Sequence, residues 1–341
     1  MQTMELIQLP SRPADWDERI GYFDSKTLFH ESAWLDFALS CHPRSRVAYY
    51  RIMRSGKEVG YFCAFVKRRA LFRLCEIPFP GRMHFGPIVN ADVDSAELVE
   101  ALLTLFRRDK MADLVLYHKP LSSGTMRKLG LTAFSNVIHF ACPLDGGIDA
   151  VWTRMKGTCR TRIRKAAKMG MIAEVTDSDV FAENFFRLFS TVLSHKGLKV
   201  PYGLDVACRL LQHLLPSDRV FPVWVKRDGE VIGAALYPHD NRAMYFWEGA
   251  SEPESLHLSP NELLHWTAIK LAVDRGIRVF NMSGGPDLRG PSRFTTKFGG
   301  ELQQITVYRK SLLPFLTPAR RVYSWLRFVR GGIPLDRLAA L

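Results

Sequence analysis

A repeat restricts this chain more than any other feature. Arg54-Ser55-Gly56-Lys57-Glu58-Val59-Gly60 and Arg227-Asp228-Gly229-Glu230-Val231-Ile232-Gly233 align without a gap. Each sits between two apolar-rich runs, RVAYYRIM and YFCAFVKR in one case, VFPVWVK and AALYPHD in the other. Two such runs joined by a tight Gly-containing turn predict a β-hairpin. A helical stretch then leads to a strand in both halves: SAELVEALLTLFRRDK to DLVLYHKP, and PNELLHWTAIKLAVDRG to IRVFNMSG. Lys128-Leu129-Gly130 before VIHFACPL matches Lys297-Phe298-Gly299 before ITVYRKSL. Three matches in register argue for an internal duplication.

With 341 residues the chain exceeds one typical core. The halves meet near Asp145-Gly146-Gly147. The expected division is therefore 1–145, 146–312 and a basic C-terminal helix in 313–341. IDAVWTRMKGTCRTRIRKAAKMG is expected to be helical over most of its length. DSDVFAENFFRLFSTVLSHKG reads as a helix with an Asp cap, and LDVACRLLQHLL as a third helix.

The formal net charge is +13, which favours anionic partners such as nucleic acid, phosphorylated cofactors or an acidic membrane surface. Six scattered cysteines without C-x-x-C read as reduced thiols, neither a disulfide frame nor a zinc site. No apolar run reaches membrane-spanning length, and the N-terminal stretch has no apolar signal core, so a cytoplasmic protein is expected. His257 and His265 lack ligand-spaced partners; surface or packing roles are expected, and no metal. Arg160, Arg164 and Lys168 share one helix face, with Ile163 and Ala167 on the other side. That face is either solvated or a surface for a nucleotide-sugar, a lipid-linked diphosphate or RNA. In the tail, Arg320, Arg321, Arg327 and Arg330 interleave with aromatic and aliphatic residues. Such a helix lies on an anionic membrane or docks on its own domain.

Hairpin, helix, strand and K-[L/F]-G before a last strand resembles the run of elements in GNAT-type acyltransferase domains. Two in tandem resemble the FemAB group and its CoA-dependent relatives in bacterial cell-envelope synthesis. LFHESAWLDF (28–37), HFGPIV (84–89), TRIRKAAKMGMIAEV (161–175), and FWEGAS followed by LSPNELLHWTAIKLAVDRGIRVFNMSGG are similar to the family's segments. The family often has Asp where this chain has Asn281, and a lysine where it has Thr295, with Lys297 two places on.

The resemblance implies an α/β fold of two GNAT-like domains, each a mixed central sheet flanked by helices. It implies an N-acyltransferase that uses acyl-CoA, acetyl-CoA among them, and acts on an amine of a sugar or envelope precursor. The second domain is expected to carry the cleft. Glu248, at the end of a strand that lines the acyl cleft in such folds, is the candidate base, or else a solvated strand end. Asn281 and Ser283 are candidates for polarising a carbonyl or binding substrate. Tyr245, Trp247, His257, Ser259 and Asn261 are candidates for holding the donor, the last three where such folds keep a phosphate-binding loop. Arg289, Arg293 and Lys297, in a loop rich in glycine, are candidates for an anionic acceptor beside Arg160, Arg164 and Lys168. The alternatives are an aminoacyl-tRNA-dependent transferase acting on a lipid-linked peptidoglycan precursor, and a non-catalytic envelope-assembly protein. Peripheral contact with the inner face of a bacterial membrane, through the tail helix, is compatible with each.

Overall fold

The computed structural model describes residues 4–69, 72–76, 86–118, 121–282 and 294–313. The chain packs as two units. One holds the residues up to Val137 together with those from Gln304 onward; the other is Ile138–Gln303.

In the first unit the elements are β1 (Met4–Gln8), α1 (Trp16–Gly21), α2 (Ser32–Cys41), β2 (Ser45–Arg54), β3 (Lys57–Arg69), β4 (Phe72–Glu76) and β5 (Ile88–Val89). Then come α3 (Ser95–Arg108), β6 (Asp113–His118), α4 (Ser123–Leu129) and the start of β7 (Thr132–Pro143). Strands run β1-β2-β3-β4, with β5 also on β3. The apolar face of α3 gives Leu98, Leu102 and Phe106 to a core shared with Tyr50, Ile52 and Phe62. Asp94 caps α3 by accepting from the Glu97 N–H at 2.8 Å. Phe29 and Trp34 meet edge-on at 4.8 Å, which explains their spacing as packing.

The second unit continues β7 and adds α5 (Gly147–Arg154), α6 (Gly157–Lys168), β8 (Ile172–Val175), α7 (Phe181–His195), α8 (Leu204–Leu214), β9 (Val220–Arg227) and β10 (Glu230–Pro238). β11 (Ala243–Tyr245), β12 (Glu248–Ser251), α9 (Pro260–Asp274) and β13 (Val279–Met282) follow, then the start of β14 (Glu301–Ser311). Beyond Gln303, β14 belongs to the first unit, where it pairs antiparallel with β6. β7 pairs with β13 over Phe140–Pro143, inside the second unit. Each unit is thus completed by the last strand of the other half of the repeat.

The repeat holds in physical detail. Both hairpin turns place two residues at positive φ, Ser55 and Gly56 at 51° and 79°, Asp228 and Gly229 at 52° and 87°. These are the values that match the twist of paired strands. Each hairpin has a register shift at the same place, so that Val59 and Ile232 are the extra residues. The glycine after each shift pairs with a further strand, Gly60 with Val89 and Gly233 with Ser251. A Cβ there would collide with the Ile88 carbonyl in one half and approach Ser251 Oγ to 2.6 Å in the other. Gly130 and Gly299, at φ 60° and 80°, end the matched K-[L/F]-G turns in the left-handed region.

Three expectations change. The long helix after Gly147 is two, because Met155 and Lys156 are extended: Met155 turns into the core and the Lys156 N–H donates to the Lys297 carbonyl at 2.9 Å. α7 has Val180, not an Asp, at its N-cap, and opens on a turn in which Phe181 N–H donates to the Ser178 carbonyl. On α6 the buried stripe is Cys159, Ile163 and Ala166; Ala167 is exposed. Residues 283–293 and those from 314 on, where a basic helix is expected, lie outside the described residues.

Candidate active site

One strand of the second unit changes neighbours. Ala243–Tyr245 runs parallel to β13, with Tyr245 opposite Asn281, and the Phe246 N–H donates to the Asn281 carbonyl at 2.9 Å. The next residue turns away: the Trp247 N–H donates to the Leu236 carbonyl at 3.1 Å, and β12 then pairs with β10. Beyond Phe246 the strand keeps β10 and leaves β13.

Register sorts side chains to the two faces. Ala235 and Gly249 are opposite each other on the α9 side; Leu236 and Glu248 are opposite each other on the α7 side. On the α9 side lies a cavity of about 170 Å³. α9 supplies Asn261, Leu264 and His265, the sheet supplies Ala235, Tyr237 and Gly249, and Phe246 and Phe294 complete the lining. A Cβ on Gly249 would stand 2.9 Å from the Phe246 ring and 2.7 Å from Ala235 Cβ, so glycine keeps this floor low.

His265 is 5% exposed, and its Nδ1 lies 2.8 Å from the Tyr237 hydroxyl. Burial pushes the imidazole down to about 3 and the phenol well above its usual value. Both are neutral at pH 7. The phenol and Nδ1 share one hydrogen bond, whose direction follows the tautomer of the ring. Phe246, Phe294 and Phe298 surround the ring, with centroids 4.8, 5.4 and 5.4 Å away.

Cations gather at the start of α9. Ser259 stands at the N-cap position, as expected, but with φ at 70° and no side-chain capping bond; Pro260 follows at the first helical position. Buried Glu262 accepts from Arg162 at 2.9 Å and has Lys297 Nζ at 3.8 Å. Lys165 Nζ donates to the His257 carbonyl at 3.2 Å. Ser251 Oγ donates to Asn261 Oδ1 at 2.8 Å, tying β12 to α9. His257 is exposed.

The remaining sequence candidates divide. Asn281 and Tyr245 are buried beside each other on paired strands. Trp247 is half-buried and stacks on Phe185 and Tyr202, 6.3 and 5.6 Å away, on the α7 side. Glu248 is half-buried, its register position on that same side. Arg160 donates to the Trp152 and Thr153 carbonyls at the end of α5, Arg164 lies 5.3 Å over the Trp152 ring, and Lys168 is exposed. The α6 cation that reaches α9 is instead Arg162, and Lys165 bonds to the His257 carbonyl just before it. Ser283, Arg289 and Arg293 lie outside the described residues. Sequence reasoning passed over Tyr237 and Glu262; the signals were Tyr237 alternating with Ala235, and Glu262 next to Asn261 in the first turn of the helix. Among the described residues no group of three acidic, His or Cys side chains is placed to hold a metal.

Residues 153–293 match the acetyltransferase (GNAT) domain family. The fold is similar to that of FemX, with a TM-score of 0.75 at 14% identity over 93% of this chain and 99% of FemX. It is similar to a tandem GNAT protein from the clavulanic acid biosynthesis pathway, with a TM-score of 0.54 at 13% identity over 91% of this chain and 99% of that one. L-PGS from Bacillus licheniformis gives a TM-score of 0.54 at 11% identity over 90% and 95% of the two chains. No curated protein matches the chain. At these identities the structural likeness establishes the fold, which is the tandem GNAT-like, FemAB-like fold expected from the sequence.

Proposed function

We propose that this acyltransferase, whose residues 153–293 belong to the acetyltransferase (GNAT) domain family, moves an acyl group from acyl-CoA to an amine of a sugar or cell-envelope precursor. The observation that carries the reading is the change of partner after Phe246, from β13 to β10, with a cavity of about 170 Å³ on the α9 face and Glu248 at a register position on the α7 face. The donor enters from the α9 side. Its phosphates meet the first turn of α9 and the cations Arg162, Lys165 and Lys297. The carboxylate of Glu262, paired with two of these, leaves the cluster net positive. The acceptor enters from the α7 side. Its nitrogen gives a proton to Glu248 and bonds to the thioester carbon; the carbon–sulfur bond breaks, and the sulfur leaves with its electron pair and takes up a proton.

In this proposal the repeat halves, 1–145 and 146–312, are two GNAT-like domains of which the second is catalytic. The arginines and aromatics interleaved in the sequence of 313–341 support peripheral contact with an anionic membrane. FemX and L-PGS support an envelope setting by likeness of fold alone. The +13 charge supports a second reading, in which the donor is an aminoacyl-tRNA. Free-thiol release from acetyl-CoA, measured with a panel of amino sugars, tests the first reading. Amine-dependent thiol release, lost in Glu248→Gln, is expected. Product formed only with aminoacyl-tRNA, and abolished by RNase, contradicts it, as does product from neither donor.

A further inference from the structure

On the α7 side of the second unit, aromatic rings gather beside Glu248. Phe181, Phe185 and Phe189 follow one another at a spacing of one helical turn on α7, so they share a face. Successive rings lie within 13° and 8° of parallel. Two further rings join this stripe. Tyr202, from the loop between α7 and α8, lies 5.4 Å from Phe189 at 15°, and Trp247 lies 6.3 Å from Phe185 at 24°. Tyr202 and Trp247 then meet each other at 5.6 Å and 26°. Phe185 and Phe189 are buried, whereas Tyr202 and Trp247 are half-buried. Near-parallel rings from helix, loop and strand thus form one aromatic patch, and its outer pair reaches the surface. The residue after Trp247 is Glu248, half-buried and at a register position on the same side.

A carboxylate beside an aromatic patch suits a ligand that is cationic at one atom and apolar over one face. An amino sugar has both. Its pyranose ring turns a face of C–H bonds toward an aromatic ring, and its ammonium pairs with a carboxylate and is drawn to aromatic faces. A linear alkylamine brings the charge without the face. We propose that Trp247 and Tyr202 are the platform on which the ring of an aminohexose acceptor packs, with its amino group at Glu248, and that this platform selects cyclic amino sugars over linear amines. The inference rests on the acyltransferase reading and narrows its acceptor class. Trp247 and Tyr202 hold the ring, and Glu248 meets the nitrogen.

The test uses full-length protein, methyl glycosides of aminohexoses with the amino group at each ring carbon in turn, and n-hexylamine as a linear amine of equal charge. Saturation transfer from protein to the ring C–H protons of at least one glycoside is expected. The indole N–H signal of Trp247, assigned by its absence from Trp247→Phe, is expected to shift with that glycoside. The preferred glycoside is expected to bind about tenfold more tightly than n-hexylamine. Trp247→Leu is expected to abolish that preference, Trp247→Phe to keep part of it, and Tyr202→Leu to reduce it, with acetyl-CoA affinity unchanged in all three. No glycoside preferred over n-hexylamine, an indole signal that does not move, or a preference that survives Trp247→Leu overturns the proposal. The wild-type preference and the indole shift decide this even where Trp247→Leu fails to fold. Free-thiol release from acetyl-CoA, run in parallel, separates the two claims. Ring-selective binding without thiol release leaves the platform standing and removes the acyl-CoA reading. Thiol release that runs equally well with n-hexylamine keeps the acyltransferase and removes the platform.

Discussion

The Tyr237 hydroxyl and His265 Nδ1 share a hydrogen bond of 2.8 Å that ties β10 to α9. Tyr237→Phe leaves Nδ1 buried without that partner. Leaving a buried group unpaired costs about 1–3 kcal/mol. The urea midpoint is expected to fall accordingly, and kcat to fall more than acetyl-CoA affinity does.

Acid is expected to weaken the fold through its buried imidazoles. Burial takes His265 from 6.5 to about 3 and His239 from 6.5 to about 4. Below the unfolded value the unfolded chain binds more protons, so stability falls as pH drops from 6.5 and levels off below the folded values. Each group adds up to about 1.4 kcal/mol per pH unit in that window. His239 stacks on Phe221 at 4.0 Å, and its Nε2 has no partner among the described residues. Asp218, Arg219 and Arg275 are the charged groups around it. His239→Phe is expected to flatten the melting temperature between pH 6.5 and 4; an unchanged slope contradicts this.

Gly249 is expected to tolerate no side chain. Alanine there must displace Ala235 or the Phe246 ring. Overpacking of this kind costs about 1–3 kcal/mol. Gly249→Ala should lower the melting temperature and weaken donor binding together, whereas Gly229→Ala, at a turn where a Cβ meets nothing, should leave donor binding unchanged.

Glu248→Gln should lower kcat by about 10²–10⁴-fold with the acetyl-CoA dissociation constant unchanged, because the residue faces the acceptor side. A parallel loss of donor affinity would place it elsewhere in the site.

Arg162→Ala should weaken acetyl-CoA binding by about tenfold and reduce its dependence on salt, since a charge-assisted contact contributes about 1.5–3 kcal/mol. Arg164→Ala, whose guanidinium lies over Trp152, should change donor affinity far less. Equal effects would return the binding surface to the Arg160–Arg164–Lys168 face.

The sequence made the repeat legible because its signals are local. Ser-Gly and Asp-Gly turns need two positive-φ residues, and the glycines after Val59 and Ile232 need space against a third strand. Capping at α7 and the break at Met155 were not legible: apolar spacing continues through the break, and a bond to the distant Lys297 carbonyl decides it. Glu248 stands at the start of β12, Asn281 on β13 and Ser259 at the N-cap of α9. The cationic cluster was legible only in composition. One-face spacing selected Arg160, Arg164 and Lys168, but Trp152 and the end of α5 engage the first two, leaving Arg162 for α9 and Lys165 for the His257 carbonyl just before it. The His265–Tyr237 pair is legible only after folding, since the two lie 28 positions apart and each alternates among core residues.

A calorimetric titration of the full-length protein with acetyl-CoA, at moderate salt, tests the central claim most directly. Saturable binding that survives moderate salt, weakens in Arg162→Ala and persists in Glu248→Gln is the predicted result. No binding of acetyl-CoA or of any longer acyl-CoA would contradict the account and remove CoA as the donor.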